Sequence, residues 1–325
     1  MSTGRKYKIA VLMGGVSNER TVSLKSGKAV AGALAEKGHQ VFPVDVTERS
    51  VDMLDAIRPE VAFVALHGEF GEDGQVQSLL EQKKIPYTGS GPEASRTGMD
   101  KVATKRAFIK NSVPTPDYMV VRRGEDVRRV AALSERLRYP LVCKPPSGGS
   151  SIGVRIIRSE AEFILAFQEA SCDHILLERY VTGRELTMGV LDGEPLPITE
   201  VVPKQEFFDY HAKYTDEETA YITPAPLLES VYIRAQDVAL RAYEAIGCRH
   251  LARVDFIEGQ DGQFYVLEVN TVPGFTSRSL LPMAAARTGL EFGDLCESIV
   301  EMALRDAAVR DIRELPILEQ RRHRA

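Results

Sequence analysis

The chain has 325 residues, 44% hydrophobic and 27% charged, which is the composition of a globular protein long enough for two or three domains. Its 41 Lys and Arg against 46 Asp and Glu give a net charge of −5, which argues against a generally basic nucleic-acid binder. No apolar run approaches the roughly 20 residues that a membrane span needs, so no membrane partner is expected. The four cysteines form no C-x-x-C pair, which excludes a zinc ribbon or a secreted disulfide scaffold and favours a cytoplasmic location.

The first hundred residues alternate between strand and helix patterns. Apolar runs at 8–13, 41–46 and 61–66 predict buried strands, and helical spacing of apolar residues over 22–37 predicts a helix that Gly38 ends. Continuous apolar runs separated by helices are typical of a parallel sheet covered on both faces. We therefore expect an N-terminal α/β domain over residues 1–100.

The rest of the chain has a mixed α+β pattern. The elements expected are a helix over 101–109, strands over 118–121, 141–144 and 154–157, alternating strands from residue 183, and a long helix over 292–305. This organisation predicts a central domain over 101–182, a C-terminal domain over 183–310 and a charged tail over 311–325.

The most informative segment is a predicted β-hairpin over 251–270. An Asp-Gly dipeptide between its two strands is a favoured two-residue turn. With that turn, Asp255 lies opposite Glu268 and Arg253 lies opposite Asn270. Because side chains alternate faces along a strand, these four polar groups share one face. The other face then carries Val254, Phe256, Leu267 and Val269.

Two directly opposed carboxylates on this hairpin repel each other unless a cation lies between them. Asp, Glu and Asn offer only oxygen ligands, which suit Mg²⁺ or Mn²⁺ rather than zinc. An arginine beside them suits a phosphate or a developing negative charge. The alternatives are a solvated outer face of an antiparallel sheet, or a turn at Glu258-Gly259 that breaks the pairing.

A glycine-rich loop after Lys144, over residues 145–153, is a candidate phosphate site. Glycine lets backbone N–H groups approach phosphate oxygens, and the lysine supplies a point charge. The loop lacks the Walker A pattern, and the alternative is a plain hairpin connection. Lys101 and Lys213 are further candidates, although a lone lysine is usually a surface residue.

The N-terminal segment contains three weaker signals. The loop 14–20 opens a helix after the first strand, where Glu19 can pair with a substrate amine or simply compensate the helix N-terminus. His67 ends a buried strand at the usual ligand edge of an α/β sheet, or is a structural histidine bonded to backbone. A G-x-G-x-x-A match at 89–94 is weak, because Pro92 removes a backbone donor.

A series of short blocks follows in one order along the chain, from residue 8 to about residue 304. They are Gly14-Gly15-x-Ser17-x-Glu19-Arg20, Ala65-Leu66-His67-Gly68, Gly71-Glu72-Asp73-Gly74, Pro86-Tyr87-Thr88-Gly89-Ser90-Gly91, Met99-Asp100-Lys101, Lys144-Pro145, Gly149-Ser150-Ser151-Ile152-Gly153, Tyr210-x-Ala212-Lys213-Tyr214, Arg253-x-Asp255 and Glu268-x-Asn270-Thr271-x-Pro273-Gly274. In their order and spacing they resemble the D-alanine–D-alanine ligases of the ATP-grasp superfamily.

The resemblance implies a fold and an activity. The fold is α/β and α+β, an ATP-grasp fold preceded by an N-terminal parallel-sheet, Rossmann-like domain. The activity is the ATP-dependent, ADP-forming ligation of two D-alanines through an acyl phosphate, for peptidoglycan precursor synthesis. The family uses two Mg²⁺ or Mn²⁺ ions and usually forms homodimers, and some relatives are activated by a monovalent cation.

The resemblance also implies the nucleotide and metal residues. Lys101 and Lys144 hold phosphates, Glu178 binds the adenine amino group and Glu185 binds the ribose. The remaining nucleotide residues are the hinge Arg179-Tyr180-Val181, Ser151 and Lys213. The metal ligands are Asp255, Glu268 and Asn270.

The residues implied for the amino-acid substrates come from both ends of the chain. Glu19 orients the ammonium of the first D-alanine, linked to Ser150 and Tyr214. Arg253 and the Gly274 N–H stabilise the oxyanion formed when the second amine attacks. The second D-alanine is held by Ser279 with Leu280 beside it, and His67 is a further substrate-binding residue.

Three alternatives remain at this level. A ligase of the same fold that takes D-serine or D-lactate is the nearest, although Tyr214 favours an amine over a hydroxy acid as second substrate. A non-catalytic nucleotide-binding regulator has no need for both carboxylates, Asn270 and all three lysines. An NAD-dependent dehydrogenase rests only on the weak glycine match at 89–94 and leaves the paired carboxylates unexplained.

Overall fold

The N-terminal part of the chain forms a parallel sheet. This computed structural model describes residues 4–148, 153–170, 172–203 and 219–314. The sheet has the order β2-β1-β3 and consists of β1 (Lys8–Gly14), β2 (Gln40–Val46) and β3 (Val61–Val64). Its helices are α1 (Arg20–Glu36), α2 (Leu54–Ile57), α3 (Gln75–Gln82) and α4 (Pro92–Met99). The predicted parallel sheet is confirmed, with its third strand ending two residues early.

A second, antiparallel sheet follows. It has the order β4-β7-β5-β6 and consists of β4 (Tyr118–Arg122), β5 (Leu141–Lys144), β6 (Arg155–Ile157) and β7 (His174–Arg179). Its helices are α5 (Lys101–Lys110), α6 (Val127–Ser134) and α7 (Glu160–Glu169), with a 3-10 turn at Glu135–Leu137. The carboxylate of Asp100 caps α5 by accepting from the backbone N–H groups of Val102 and Ala103 at 2.8 and 3.0 Å, which fixes where this helix begins.

The third sheet is antiparallel and the largest in the described residues. Its order is β11-β10-β8-β12-β13, with β9 paired to β8. The strands are β8 (Gly183–Leu191), β9 (Glu194–Pro195), β10 (Thr199–Val202), β11 (Ala220–Ile222), β12 (Leu251–Gly259) and β13 (Phe264–Asn270). The helices that follow in this part of the chain are α8 (Glu229–Ile246), α9 (Leu280–Ala286) and α10 (Phe292–Glu314). One face of the sheet packs on α8 in a core that includes Ala239, Ala242, Val254 and Phe256.

The hairpin β12–β13 differs from its prediction in two features, and their effects on the register cancel. Gly259 N–H donates to the carbonyl of Gln263 at 2.8 Å, so three residues make the turn and the predicted two-residue turn is wrong. A β-bulge at Leu267 then shifts the register by one residue. Beyond the bulge Asp255 pairs with Glu268, as predicted, because the extra residue on β13 compensates for the extra residue in the turn.

The bulge also corrects the predicted division of faces. Val266 lies in the core with Val254 and Phe256. Leu267, which was predicted to share that core face, instead lines a cleft on the opposite face of the sheet. Uninterrupted alternation fails here because the residues of β13 between the turn and the bulge are shifted by one position, which exchanges the faces predicted for them.

The last helix returns to the first sheet. Ile9 and Phe63 of the parallel sheet share one buried core with Leu34 of α1 and with Leu295 and Ile299 of α10. The segment predicted as a C-terminal domain therefore also covers one face of the N-terminal sheet. The boundaries at residues 100, 182 and 310 remain a prediction.

The longest described helix, α10, has 23 residues and carries charged side chains along its length. Within the described residues, no helix combines the length and apolar character that crossing a bilayer requires.

Candidate functional site

A cleft of about 320 Å³ lies between the second and third sheets. Nine of the residues predicted to hold nucleotide or metal line it: Lys101, Lys144, Glu178, Arg179, Tyr180, Val181, Glu185, Asp255 and Glu268. Asn270 joins the cleft through Asp255. The predicted site residues Ser150, Ser151, Lys213 and Tyr214 lie outside the described residues. The fold thus brings together residues that are more than 160 positions apart in the sequence.

A buried carboxylate with two buried lysines forms the inner wall of the cleft. Lys144 Nζ lies 2.8 Å and Lys105 Nζ 3.3 Å from the same oxygen, Oε1, of Glu178. Burial by itself raises the pKa of Glu178, but the charges of Lys144 and then Lys105 outweigh it and leave that pKa below its usual value. Glu178 is therefore an anionic acceptor at neutral pH.

The hinge between the two sheets follows Glu178 directly. Arg179 N–H donates to the carbonyl of Asp117 at 2.8 Å, and its guanidinium lies 4.9 Å from the ring centre of Tyr265. Tyr180 N–H donates to the carbonyl of Pro140 at 3.2 Å. These contacts tie the hinge to both sheets. The apolar part of the cleft is lined by Val142, Val154, Val181, Val201, Ile257 and Leu267, a surface suited to a flat aromatic base.

The Asp255 carboxylate is held by four donors. Arg253 Nε and Nη2 donate to Oδ1 and Oδ2 at 2.8 and 2.7 Å. Thr187 Oγ1 donates to Oδ1 at 2.6 Å, and Asn270 Nδ2 donates to Oδ2 at 3.0 Å. Charge-assisted, bidentate contacts of this kind fix the carboxylate in one orientation.

Each of the two opposed carboxylates has its own cation. Arg253 compensates Asp255, and Lys101 Nζ lies 3.9 Å from Glu268 Oε2. Repulsion between the two carboxylates therefore does not by itself require a metal. Lys101 Nζ also donates to the carbonyl of Gly148 at 2.5 Å, which brings the base of the glycine-rich loop to the same end of the cleft.

The donor set fits a divalent ion in its chemistry. Asp255, Glu268 and Asn270 offer oxygen ligands on adjacent antiparallel strands, at the register that brings them to one end of the cleft. Asn270 turns its amide nitrogen to Asp255, so its oxygen can serve as a ligand. Among the described residues no group of three His, Cys, Asp or Glu side chains forms a metal site.

A second group of predicted residues lies at the carboxyl end of β1 and β3. An ideal Cβ built on Gly68 would be 2.8 Å from Ser17 Oγ and 2.9 Å from Glu19 Oε2, which places the Glu19 carboxylate beside the His67-Gly68 peptide. Ser17 Oγ donates to the carbonyl of His67 at 2.6 Å. Glu19 stands at the N-cap of α1 but makes no capping hydrogen bond, so capping does not explain its carboxylate.

The buried ring of His67 contacts side chains rather than the backbone partner that its structural alternative predicted. Its Nε2 lies 3.1 Å from Ser26 Oγ, and its Nδ1 lies 3.5 Å from Glu72 Oε1. Ser26 Oγ also accepts from the backbone N–H of Phe275 at 3.1 Å. Ser26 thus connects His67 with the loop after β13.

That loop carries the remaining predicted residues. Ser279 Oγ accepts from the backbone N–H of Thr276 at 3.0 Å, and an ideal Cβ on Gly274 would be 3.6 Å from the same oxygen. Leu280 is the first residue of α9. Gly274, Ser279 and Leu280 therefore lie together at the start of α9, joined to His67 through Ser26.

Sequence reasoning missed three residues of this arrangement. Lys105 and Ser26 are fully buried polar residues on the buried faces of their helices, and a charged residue in a helical core pattern was the available signal for Lys105. Glu72 stands in a block that sequence reasoning quoted without giving it a role; its Oε2 accepts from the Gly68 N–H at 3.0 Å.

Comparison with known proteins decides the family. The model for the D-ala D-ala ligase C-terminus matches residues 108–301, and the model for the D-ala D-ala ligase N-terminus matches residues 48–90. The chain belongs to the D-alanine–D-alanine ligases. It is 50% identical over 298 residues to the D-alanine–D-alanine ligase of Syntrophotalea carbinolica, covering 91% of this chain and 96% of the relative.

Other relatives of this ligase family agree over nearly the whole chain. The D-alanine–D-alanine ligase of Anaeromyxobacter sp. strain K is 46% identical over 305 residues, covering 93% of this chain and 99% of the relative. The crystal structure of the Bacillus anthracis D-alanine–D-alanine ligase superposes with a TM-score of 0.81 at 35% identity, covering 93% of this chain and 99% of that one. The same ligase complexed with ATP matches with a TM-score of 0.81 at 33% identity, covering 94% and 99%. The ATP-grasp fold predicted from sequence is thereby confirmed.

Proposed function

We propose that this chain ligates two D-alanines to D-alanyl-D-alanine with cleavage of ATP to ADP and phosphate, as a step of peptidoglycan precursor synthesis. The observation that carries the proposal is the convergence of phosphate-binding, metal-binding and oxyanion-stabilising residue types on one cleft in a member of this family.

In this proposal ATP lies in the cleft between the second and third sheets. The base rests on the apolar wall and the hinge Arg179-Tyr180-Val181, with its amino group donating to Glu178 and its ribose bound by Glu185. Lys101 and Lys144 hold phosphate oxygens at the end of the cleft where Asp255 and Glu268 meet. Ser151 and Lys213, outside the described residues, complete the proposed nucleotide set.

Asp255, Glu268 and Asn270 would hold two Mg²⁺ or Mn²⁺ ions, which supply neutralisation of charge on the phosphate oxygens. Arg253 is placed to act with them, because its guanidinium already lies against Asp255. When phosphate enters, Arg253 can exchange part of this contact for the phosphoryl group.

The reaction runs in two steps. A carboxylate oxygen of the first D-alanine attacks the γ-phosphorus and ADP leaves, and the amine of the second D-alanine then attacks the acyl carbon and phosphate leaves. Glu19 and His67 orient the first substrate, with Ser150 and Tyr214 in support, while Ser279 and Leu280 position the second. Arg253 and the Gly274 N–H stabilise the oxyanion. Because these donors are already in position, no rearrangement of the site is needed as the negative charge develops.

The wider setting is part of the proposal. The four cysteines are free, which suits a cytoplasmic enzyme that uses ATP. We also propose a homodimer, and a domain division near residues 100 and 182. Activation by a monovalent cation, known for some relatives, belongs to the same set of proposals.

The proposal is tested by following ADP and phosphate release with Mg²⁺, ATP and D-alanine, with products identified by mass. We expect release that depends on D-alanine and on the divalent ion, with the dipeptide as product. L-Alanine alone, and reactions without metal, serve as controls. Absence of turnover with D-alanine in a protein that still binds ATP would overturn the substrate assignment.

A second candidate uses the same cleft with D-serine or D-lactate as second substrate. Tyr214 favours an amine. Equal yields of the D-lactate ester and the dipeptide from a mixture of both substrates would contradict that preference.

A further inference from the structure

One buried lysine stands directly behind the cleft and plays no part in the proposed mechanism. Lys105 lies on α5, one turn after Lys101, and its side chain is fully buried. Lys105 is not among the described residues that line the cleft, and its ammonium lies behind two that do, Pro116 and Glu178. Burying a charge costs free energy, because the charge loses its hydration and only its protein partners can compensate for that loss.

Lys105 makes two hydrogen bonds and one ion-pair contact. Its Nζ donates to Thr115 Oγ1 at 2.8 Å and to the carbonyl of Pro116 at 3.3 Å, and it lies 3.3 Å from Glu178 Oε1. The first two acceptors belong to the segment that leads into β4, so they fix the ammonium in place. The third is the carboxylate that faces the cleft.

Glu178 needs a second cation because Lys144 is also proposed to bind the nucleotide. Lys144 lines the cleft and is proposed to hold a phosphate oxygen, so its charge is shared once nucleotide binds. Lys105 is anchored by Thr115 and Pro116, so we expect it to keep its position when nucleotide binds. It therefore continues to hold Oε1 of Glu178 in an ionised carboxylate, which leaves Oε2 to meet the base.

We propose that Lys105 is a positioning residue that fixes the Glu178 carboxylate and thereby sets the preference of the cleft for a purine with a 6-amino group. The inference rests on the proposed nucleotide role of Glu178. An ionised carboxylate only accepts hydrogen bonds, so it pairs with the amino group of adenine and repels the 6-oxo group of hypoxanthine. Without Lys105, Glu178 binds a proton more readily and becomes able to donate to a 6-oxo group.

The experiment compares ATP with inosine triphosphate as co-substrate. The variants are Lys105→Met, Glu178→Gln, the double variant, and Lys110→Met as a matched control, since Lys110 is an exposed lysine on the same helix. For Lys105→Met we expect KM for ATP to rise about tenfold or more, as for the loss of a charged hydrogen bond, with kcat within about threefold. The ratio of kcat/KM for ATP over inosine triphosphate should fall about tenfold, and Lys110→Met should match the wild type.

The double variant separates positioning from general support of the fold. If Lys105 acts through Glu178, Lys105→Met has no further effect in a protein that already carries Glu178→Gln. The double variant and Glu178→Gln then have the same ratio of kcat/KM for ATP over inosine triphosphate. A further loss in the double variant, or a wild-type ratio in Lys105→Met, would overturn the inference.

Two provisions keep the test decisive. If Lys105→Met does not fold, the double variant is compared with Glu178→Gln instead, because it no longer buries a carboxylate without its cation. Thr115→Val is a second variant, which removes an anchor of the lysine and keeps its charge. Thr115→Val should shift the ratio in the same direction, and an unchanged ratio would count against the inference. If the wild type forms no dipeptide, the proposed function fails, and titrations of ATP and inosine triphosphate binding on the same variants still decide the role of Lys105.

Discussion

Gly68 has a conformation and a neighbourhood that together exclude a larger side chain. Its φ of 72° lies in the left-handed region, and a Cβ there would approach both Ser17 Oγ and Glu19 Oε2 within 3.0 Å. The backbone of residue 68 therefore comes close to the carboxylate that we assign to the first D-alanine. Space at this position is part of the proposed substrate site.

We expect Gly68→Ala to raise KM for D-alanine at least about tenfold while KM for ATP stays within about twofold, because the new methyl displaces Glu19 and leaves the nucleotide cleft untouched. Steady-state kinetics with each substrate varied in turn measures this. Gly193→Ala is the matched control, since Gly193 has a φ of 82° and open space around its Cβ position. The control should lose about 1 kcal/mol of stability and keep wild-type kinetics. Equal KM values for D-alanine in the two variants would remove Gly68 and Glu19 from the substrate site.

At the scale of the element, the hairpin β12–β13 shows what the sequence could and could not predict. Alternation and an Asp-Gly dipeptide were sufficient to place Asp255 opposite Glu268. They were not sufficient to reveal the three-residue turn or the bulge, because both depend on how the whole sheet twists and packs on α8. The two errors compensate beyond the bulge, where Asp255 pairs with Glu268 as predicted. At Leu267 they do not compensate, and the predicted face is wrong.

The bulge makes a prediction about two adjacent residues that uninterrupted pairing would reverse. Val266 is fully buried in the core, so Val266→Ala should lower the free energy of unfolding by about 2 kcal/mol and leave KM for ATP near its wild-type value. Leu267 lines the cleft, so Leu267→Ala should raise KM for ATP about tenfold through lost apolar contact with the base, with little loss of stability. Chemical denaturation and steady-state kinetics on both variants check this. The opposite assignment of effects would show that the strand has no bulge in solution.

At the scale of the whole molecule, the ligand sites depend on contacts between segments distant in sequence. The parallel sheet, the central helix α5 and the last helix were each predictable from local patterns. The return of α10 to the first sheet, and the meeting of His67 with the loop after β13, were not, because periodicity identifies an apolar face but not its partner. Family resemblance supplied the list of proposed site residues, and the packing brings together those that lie in the described part of the chain.

His250 is one of these long-range contacts. Its Nδ1 accepts from the backbone N–H of Gly89 at 3.1 Å, and its Nε2 lies 2.9 Å from Asp306 of α10. Burial lowers the pKa of His250 below its ordinary value, although Asp306 and Asp192 oppose this and Arg305 assists it. The folded protein therefore holds a neutral imidazole that joins the Gly89 loop, the start of β12 and the last helix.

This contact makes the stability of the whole molecule sensitive to acid. Below the ordinary histidine pKa of 6.5 the unfolded chain binds a proton at His250 before the folded chain does, so stability contributed by the neutral ring is lost as the pH falls. Between pH 7.5 and 5.5 we expect the Tm of the wild type to fall more than that of His250→Asn, whose amide oxygen can still accept from Gly89 but takes up no proton. His174→Asn is the matched control, because His174 is exposed on β7, and it should follow the wild type. An equal fall in Tm for all three proteins would mean that proton uptake at this junction does not control acid stability.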